Sequence, residues 1–381
     1  MYRSDEIVSM DTRTKYIHQG EQAAYALGNR GPVQFDDDGS LSQQITAAYW
    51  QHGFYIFEDV VQAAELRRLE ADLQGVLDRA PYTKDARVDA QGRPALGLDL
   101  AKPAFNFAKP LSDPLGGTDA NNGRHPTRMT EYTPSADAPD YVIAQIIGPL
   151  QFMDSYLRLY CHPQLLAIAE QIHGPDFTPF NEVVFIKEPG LGASIAWHQD
   201  GTTHWNNPEL DEGTHGFNFM AQLYGSTAAN GVWVLPGSHK LGKIDIRAMV
   251  RDNNDSDQLP DAVPLVCQPG DVIMCNRQTL HASFANISSD KRVTFNIGFH
   301  RRKSVLNVRT WREGKDVFYD EAWIHERSRL IALGIDARRQ FYPDETPFVY
   351  QPLQGEENQN RWNELARETI LKNYNLRDIG I

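Results

Sequence analysis

Two side chains able to bind a divalent cation stand one residue apart in Ile195-Ala196-Trp197-His198-Gln199-Asp200-Gly201. On a strand, residues two apart project from the same face, so the His198 imidazole and the Asp200 carboxylate converge on one point. A divalent metal such as Fe(II) takes two imidazoles and one carboxylate on one side and keeps three positions open. The pair therefore supplies two ligands of three, and another histidine has to complete the set. Gln199 projects from the opposite face and takes no direct role.

Spacing alone does not choose the third ligand, because a barrel can bring any of His204, His215, His239 or His281 near the pair. His281 stands out through its company. Ser283 follows two residues later and Arg292 eleven later, at the start of a strand-like run. A 2-oxo dicarboxylate that chelates a metal through its keto-acid end needs a cation for its far carboxylate. The planar fork of arginine suits that task, because it makes two parallel charge-assisted bonds, and a serine hydroxyl can share the same carboxylate.

The elements around these residues indicate what must hold them. Short runs rich in branched and aromatic residues recur at 182–186, 217–224, 231–235, 263–267, 271–275 and 292–299, with turns such as Pro236-Gly237-Ser238 and Pro269-Gly270-Asp271 between them. Many short strands without intervening helices predict an antiparallel barrel or jelly roll. Helical periodicity flanks them: 41–52, a stripe of Leu66, Leu69, Leu73, Val76 and Leu77, a stretch at 141–173 ending at Gly174, and then 319–333 and 360–372. A short strand is expected at 53–57. The expected organisation is a polar, loosely packed arm at 1–40, a catalytic domain at 41–303 with its β-core at about 175–303, and a helical extension at 304–381 packed on that core. Residues 81–138 are rich in Gly, Pro, Asp and Asn without sustained period, which reads as a lid over the site.

Composition narrows the function classes. The 381 residues are 41% hydrophobic, 10% aromatic and 23% charged, enough apolar material for a sizeable core. Lys and Arg total 37 against 50 Asp and Glu, a net charge of −13 that speaks against binding nucleic acid. Three dispersed cysteines, Cys161, Cys267 and Cys275, offer neither a disulfide framework nor a thiolate zinc site and fit a reducing cytoplasm. The polar start lacks an apolar signal core, and no apolar run reaches the roughly 20 residues that span a bilayer.

In their combination, His198-Gln199-Asp200, His281, Ser283 and Arg292 resemble the iron and 2-oxoglutarate motif of the phytanoyl-CoA dioxygenase family. Lys187-Glu188-Pro189-Gly190, Asn230-Gly231 and Leu235-Pro236-Gly237-Ser238-His239-Lys240 match that family as well, and the likeness covers about 42–303. The resemblance implies a mainly β fold with flanking helices: a double-stranded β-helix core of the jelly-roll, cupin-like kind. It implies Fe(II) bound by His198, Asp200 and His281, with 2-oxoglutarate and O2 as cosubstrates. Arg292 and Ser283 would hold the far carboxylate of 2-oxoglutarate, with Gln222 and Asn181 as further contacts. The implied reaction oxidises a small molecule, by hydroxylation or a related route, while 2-oxoglutarate becomes succinate and CO2. Halogenating relatives lack the carboxylate and leave its position to chloride, so the intact Asp200 points to hydroxylation.

Residues beside the ligands, namely Trp197, Thr202, His204, Trp205, Phe299 and Arg301, are expected to shape the substrate pocket. Two other classes are kept: a metal-dependent isomerase or hydrolase on a similar barrel, using the triad with another metal, and a jelly-roll binding module without catalysis, for which a convergent His, Asp and His would be an accident. Neither needs Arg292 and Ser283. Substrate identity and oligomeric state are not legible.

Overall fold

The computed structural model describes residues 4–201, 216–312 and 315–380. Fourteen strands run through them. They are β1 (Arg30–Gly31), β2 (Phe54–Phe57), β3 (Phe105–Ala108), β4 (Val142–Ile147), β5 (Thr178–Lys187), β6 (Ile195–His198) and β7 (Gly216–Gln222). The remainder are β8 (Trp233–Val234), β9 (Val263–Pro264), β10 (Val272–Asn276), β11 (His281–Ser283), β12 (Arg292–His300), β13 (Arg309–Arg312) and β14 (Lys315–Phe318). The large sheet has the order β1-β2-β10-β7-β12-β5-β4-β3, the small one β6-β11-β8-β9, and β13-β14 form a hairpin. Every pair is antiparallel except β1 with β2.

Strand β12 shows how sequence builds the layers. Its residues alternate, Arg292-Val293-Thr294-Phe295-Asn296-Ile297-Gly298-Phe299, and successive side chains of a strand point to opposite faces. Val293, Phe295, Ile297 and Phe299 join Phe217, Phe219, Val272 and Met274 in one continuous core against the helices Ala63–Leu77, Asp154–Tyr160, Pro163–His173 and Glu321–Phe341. Burying each such Phe or Val side chain contributes about 1.5–3 kcal/mol. On the other face, Met220, Ile273, Cys275, Phe54 and Ile56 meet Val232, Val234, Val263 and Leu265 of the small sheet. The two sheets thus pack face to face as a jelly roll. No named strand pair joins them among the described residues, so the core is open and not a closed barrel.

Three local expectations need correction. Residues 4–26 form a helix, not a loose arm. Tyr16 stacks on Trp233 with ring centroids 4.6 Å apart, Arg13 donates to the Ala285 carbonyl at 3.0 Å, and Gly20 leaves room where a Cβ would meet the Trp233 ring at 2.4 Å. A few such contacts bind a helix whose polar composition hides them. The stretch 141–173 starts as strand β4, whose Val-Ile-Ala-Gln-Ile-Ile run carries the branched residues that favour an edge of a sheet, and only then becomes two helices. The carboxyl-terminal part begins with the β13-β14 hairpin before its long helix. That helix is tied to the large sheet by Arg327, which is fully buried and contacts Glu182 of β5 at 2.8 Å and Asp378 at 3.1 Å.

No helix among the described residues is long and apolar enough to cross a membrane. The three cysteines are buried and unpaired.

Candidate metal centre

Strands β6 and β11 pair so that His281 stands directly across from His198. Their ring centroids lie 4.1 Å apart. Strand β6 ends at His198, and Asp200 follows in a turn fixed by its own backbone N–H, which donates to the Arg277 carbonyl at 2.8 Å. One donor atom from each of His198, Asp200 and His281 lies within 4.8 Å of the others. Both imidazoles are held in the same way. Nδ1 of His198 sits 2.8 Å from the Ala196 carbonyl, and Nδ1 of His281 sits 2.8 Å from the Thr279 carbonyl. A ring that donates from Nδ1 presents a bare lone pair at Nε2, which is the form that ligates a metal. His239, by contrast, turns its Nε2 to the Trp50 carbonyl.

A second layer of residues, unsuspected from the sequence, orients Asp200. Asn218 of β7 donates to its Oδ2 at 2.8 Å, Arg124 reaches its Oδ1 at 3.4 Å, and the Arg277 Nε lies 3.9 Å from Oδ2. Burial works against the charge of this carboxyl, but the cations around it, Arg124 first, outweigh that and hold it well below the usual carboxylate range. Gly298 of β12 makes the space, since a Cβ there would meet Asn218 Oδ1 at 2.9 Å and the Phe180 ring at 2.6 Å. Arg277 lies over the Phe180 ring and is 3.2 Å from His300 Nε2, which in turn lies 3.3 Å from the Ile379 carbonyl. The segment around Asp378 and Ile379 is therefore wired to the candidate ligand.

Residues 81–138 deliver a third imidazole. His125 packs on His198 with ring centroids 4.3 Å apart, is 1% exposed, and has no hydrogen-bond partner at either nitrogen. Burial, aided by Arg124, pushes it down to about 4, so it is neutral near pH 7. The segment is anchored: Asp113 accepts from Met129 N at 2.8 Å and Gly116 N at 3.1 Å, and Ser194 N donates to the Ser112 carbonyl at 2.9 Å.

Arg292 opens β12 on the face toward the triad. Its Nε donates to Thr294 Oγ1 at 2.9 Å, and its Nη1 donates to the Asn230 carbonyl at 3.0 Å and to Ser283 Oγ at 3.2 Å. Burial pushes the guanidinium down to about 10, still well above neutrality, so it is a cation. Gln222 belongs to the same network one step out, accepting from Thr294 Oγ1 at 2.9 Å. Lys187, across the β5-β12 ladder from Arg292, is buried and donates to the Ser283 and Phe284 carbonyls. A cavity of 760 Å³ reaches Arg292 and Lys187. Asn181 lies on β5 with its Oδ1 buried and unpartnered.

The other expected pocket residues divide. Trp197 is 0% exposed, donates from Nε1 to the Asp257 carbonyl at 2.7 Å, and belongs to the core on the outer side of the small sheet. Phe299 is in the helix-side core. Both sit on the strand face opposite the triad, so neither lines its pocket. Gln199 is a structural brace, donating to the Gln278 and Gly242 carbonyls. Arg301 lies just past β12, where its carbonyl accepts from Ser304 N. Thr202, His204, Trp205 and His215 lie outside the described residues.

Comparison with known proteins adds the family. Residues 148–294 match the model of Phytanoyl-CoA dioxygenase (PhyH). Over that region the chain is similar to the family. Within the matched region lie His198, Asp200, His281, Ser283 and Arg292; Arg124, His125 and Ile379 lie outside it. The chain is 33% identical over 115 residues to Phytanoyl-CoA dioxygenase 1 of Oryza sativa subsp. japonica, covering 28% of this chain and 38% of that one. It is 30% identical over 120 residues to Phytanoyl-CoA dioxygenase of Arabidopsis thaliana, covering 29% and 40%. The matched stretch thus spans about two-fifths of these curated relatives. The crystal structure of EctD from S. alaskensis with 2-oxoglutarate and 5-hydroxyectoine is similar in fold, with a TM-score of 0.50 and 17% identity over 77% of this chain and 86% of that one.

Proposed function

We propose that this protein is an Fe(II)- and 2-oxoglutarate-dependent dioxygenase that oxidises an unactivated C–H bond of a small molecule, most simply by hydroxylation. The observation that carries the reading is the conjunction of His198, Asp200 and His281, with donor atoms within 4.8 Å of one another, and a buried arginine, Arg292, bonded to Ser283 at 3.2 Å. An isomerase or hydrolase uses the first and has no need of the second, and a binding module needs neither.

The residues fit the two groups they would hold. Two imidazoles whose Nδ1 atoms face backbone carbonyls, and one ionised carboxylate, form a donor set for Fe(II), three protein ligands leaving positions open. The guanidinium of Arg292 and the hydroxyl of Ser283 fit the far carboxylate of a dicarboxylate, and the neighbouring cavity admits it. Iron and 2-oxoglutarate, when bound, supply the activation of O2, with decarboxylation of 2-oxoglutarate to succinate and CO2 balancing the oxygen atom delivered to the substrate.

The chain's own contribution is positioning. The Ala196 and Thr279 carbonyls fix the two rings, and Asn218 fixes Asp200 through Oδ2. Arg292 fixes the dicarboxylate in one register. The anchored segment 81–138 excludes water above the triad, which protects a reactive oxidant from side reactions. Asp200 occupies the ligand position that a halogenating relative leaves to chloride, which favours oxygen transfer.

Metal content tests the ligand set. Purified His198→Ala is expected to retain less than a tenth of the Fe(II) bound by the wild type in equilibrium dialysis under nitrogen. Unchanged occupancy in a folded variant refutes the assignment.

A further inference from the structure

We infer that the substrate carries an anionic group, a carboxylate or a phosphate, and that Arg124, Lys243 and Arg247 bind it beside the metal centre. The inference rests on the oxygenase reading and deepens it.

A second cavity, of 680 Å³, is lined by Arg124, Gln199 and Gly201 on the triad side and by Lys243, Asp245 and Arg247 on the far side. It shares no lining residue with the cavity that reaches Arg292. Among the described residues, three cations face one carboxylate there, in a chain whose net charge is −13. That carboxylate is already engaged, because Asp245 Oδ1 accepts from Ala248 N at 3.0 Å to cap the helix Ile246–Asp252. A positive cleft on an acidic protein focuses its field on anions.

The inner end of the cleft holds a buried polar atom that no protein group satisfies. Arg124, on its lining, has a buried Nε with no partner. Buried polar atoms are satisfied in the great majority of cases, so an unpartnered guanidinium nitrogen on the cavity lining calls for a polar ligand. Charge balance asks for the same. With a divalent ion at the triad and 2-oxoglutarate against Arg292, Asp200 is, among the described residues, the carboxylate that faces Arg124 and Arg277, and among those residues positive charge is left over. An anionic substrate group meets it. Trp311, 63% exposed on the same wall, offers an apolar face to the rest of the molecule.

The sequence hides this cluster. Residue 124 stands more than a hundred positions from 243 and 247, and the link is made in space, where Arg247 Nε donates to the Pro126 carbonyl at 3.3 Å.

The test uses the full chain, with and without Fe(II) and 2-oxoglutarate, under nitrogen. Inorganic phosphate and acetate are titrated by calorimetry at an ionic strength fixed with chloride. The expected result is saturable binding of one of them, phosphate pointing to a phosphorylated substrate and acetate to a carboxylic acid. Lys243→Gln/Arg247→Gln, both at exposed positions, should weaken it at least tenfold, and Arg124→Gln should abolish it. Binding no stronger than that of chloride overturns the inference, as does equal affinity in the double variant or displacement of 2-oxoglutarate by the anion. Failure of the protein to take up Fe(II) or 2-oxoglutarate is read in the same experiment and counts against the oxygenase reading instead.

Discussion

Replacing Arg292 with lysine separates charge from geometry at the 2-oxoglutarate site. Arg292 holds Thr294 Oγ1, the Asn230 carbonyl and Ser283 Oγ, and is the buried cation beside the 760 Å³ cavity. Lysine keeps the charge and loses the planar fork. A hydrogen bond to a charged group contributes about 1.5–3 kcal/mol, so forfeiting one of two bonds to the far carboxylate costs about 2 kcal/mol. At 1.4 kcal/mol per tenfold, that is roughly a 30-fold rise in the Kd for 2-oxoglutarate. The assay is anaerobic calorimetric titration of the Fe(II)-loaded protein with 2-oxoglutarate and, in parallel, 2-oxobutyrate, which has the same keto acid and no far carboxylate. Arg292→Lys should weaken 2-oxoglutarate about 30-fold and leave 2-oxobutyrate unchanged, on the same estimate. Circular dichroism monitors folding, because the Asn230 carbonyl loses a buried donor. If both acids weaken equally, or neither does, Arg292 does not read the far carboxylate.

Three further outcomes follow from the packing. Trp197→Phe removes the bond to the Asp257 carbonyl and should cost about 1–3 kcal/mol in urea unfolding with succinate formation per folded molecule unchanged; altered turnover at full stability contradicts a core role. Gly298→Ala drives a Cβ to within 2.9 Å of Asn218 Oδ1, so overpacking should cost about 1–3 kcal/mol and Fe(II) should bind more weakly as Asp200 loses its brace. An unaltered Fe(II) Kd sinks that link. His162 is buried, and burial, with Arg338 nearby, pushes it down to about 3. A folded pKa below the unfolded value of about 6.5 means the native state binds fewer protons, so this group's stabilisation is complete above about pH 6.5 and declines as pH falls toward 3. Between pH 7 and 5 the decline is about 2 kcal/mol, and His162→Gln should flatten the pH profile of unfolding free energy by that amount. An identical profile in the variant shows that the ring is not buried neutral.

Strand faces were legible because alternation is a hard geometric rule. It marks Arg292, Thr294 and Asn296 as one face of β12, whereas Asp200 lies past the end of β6 and reaches the His198 side through a turn. The rule also corrects the expectation for Phe299, where nearness in sequence to the end of β12 was taken for nearness to the site. Trp197 fails for the same reason, standing one residue from His198 on the other face. Arg124 and His125 were not legible, since their segment has no period and reaches the triad only through tertiary packing. Arg277, Asn218 and His300 act through bonds between distant strands, which no local pattern records. The amino-terminal helix was missed because a handful of contacts, such as Tyr16 on Trp233, fix it without an apolar stripe.

Succinate is the most direct witness. Wild-type protein with Fe(II), O2, ascorbate and 14C-labelled 2-oxoglutarate is expected to release labelled succinate, slowly alone and faster when a panel of carboxylated and phosphorylated small molecules includes the substrate. His281→Ala should release none above background. No succinate from the wild type across a broad panel, or equal release from wild type and His281→Ala, contradicts an iron and 2-oxoglutarate oxygenase built on His198, Asp200 and His281.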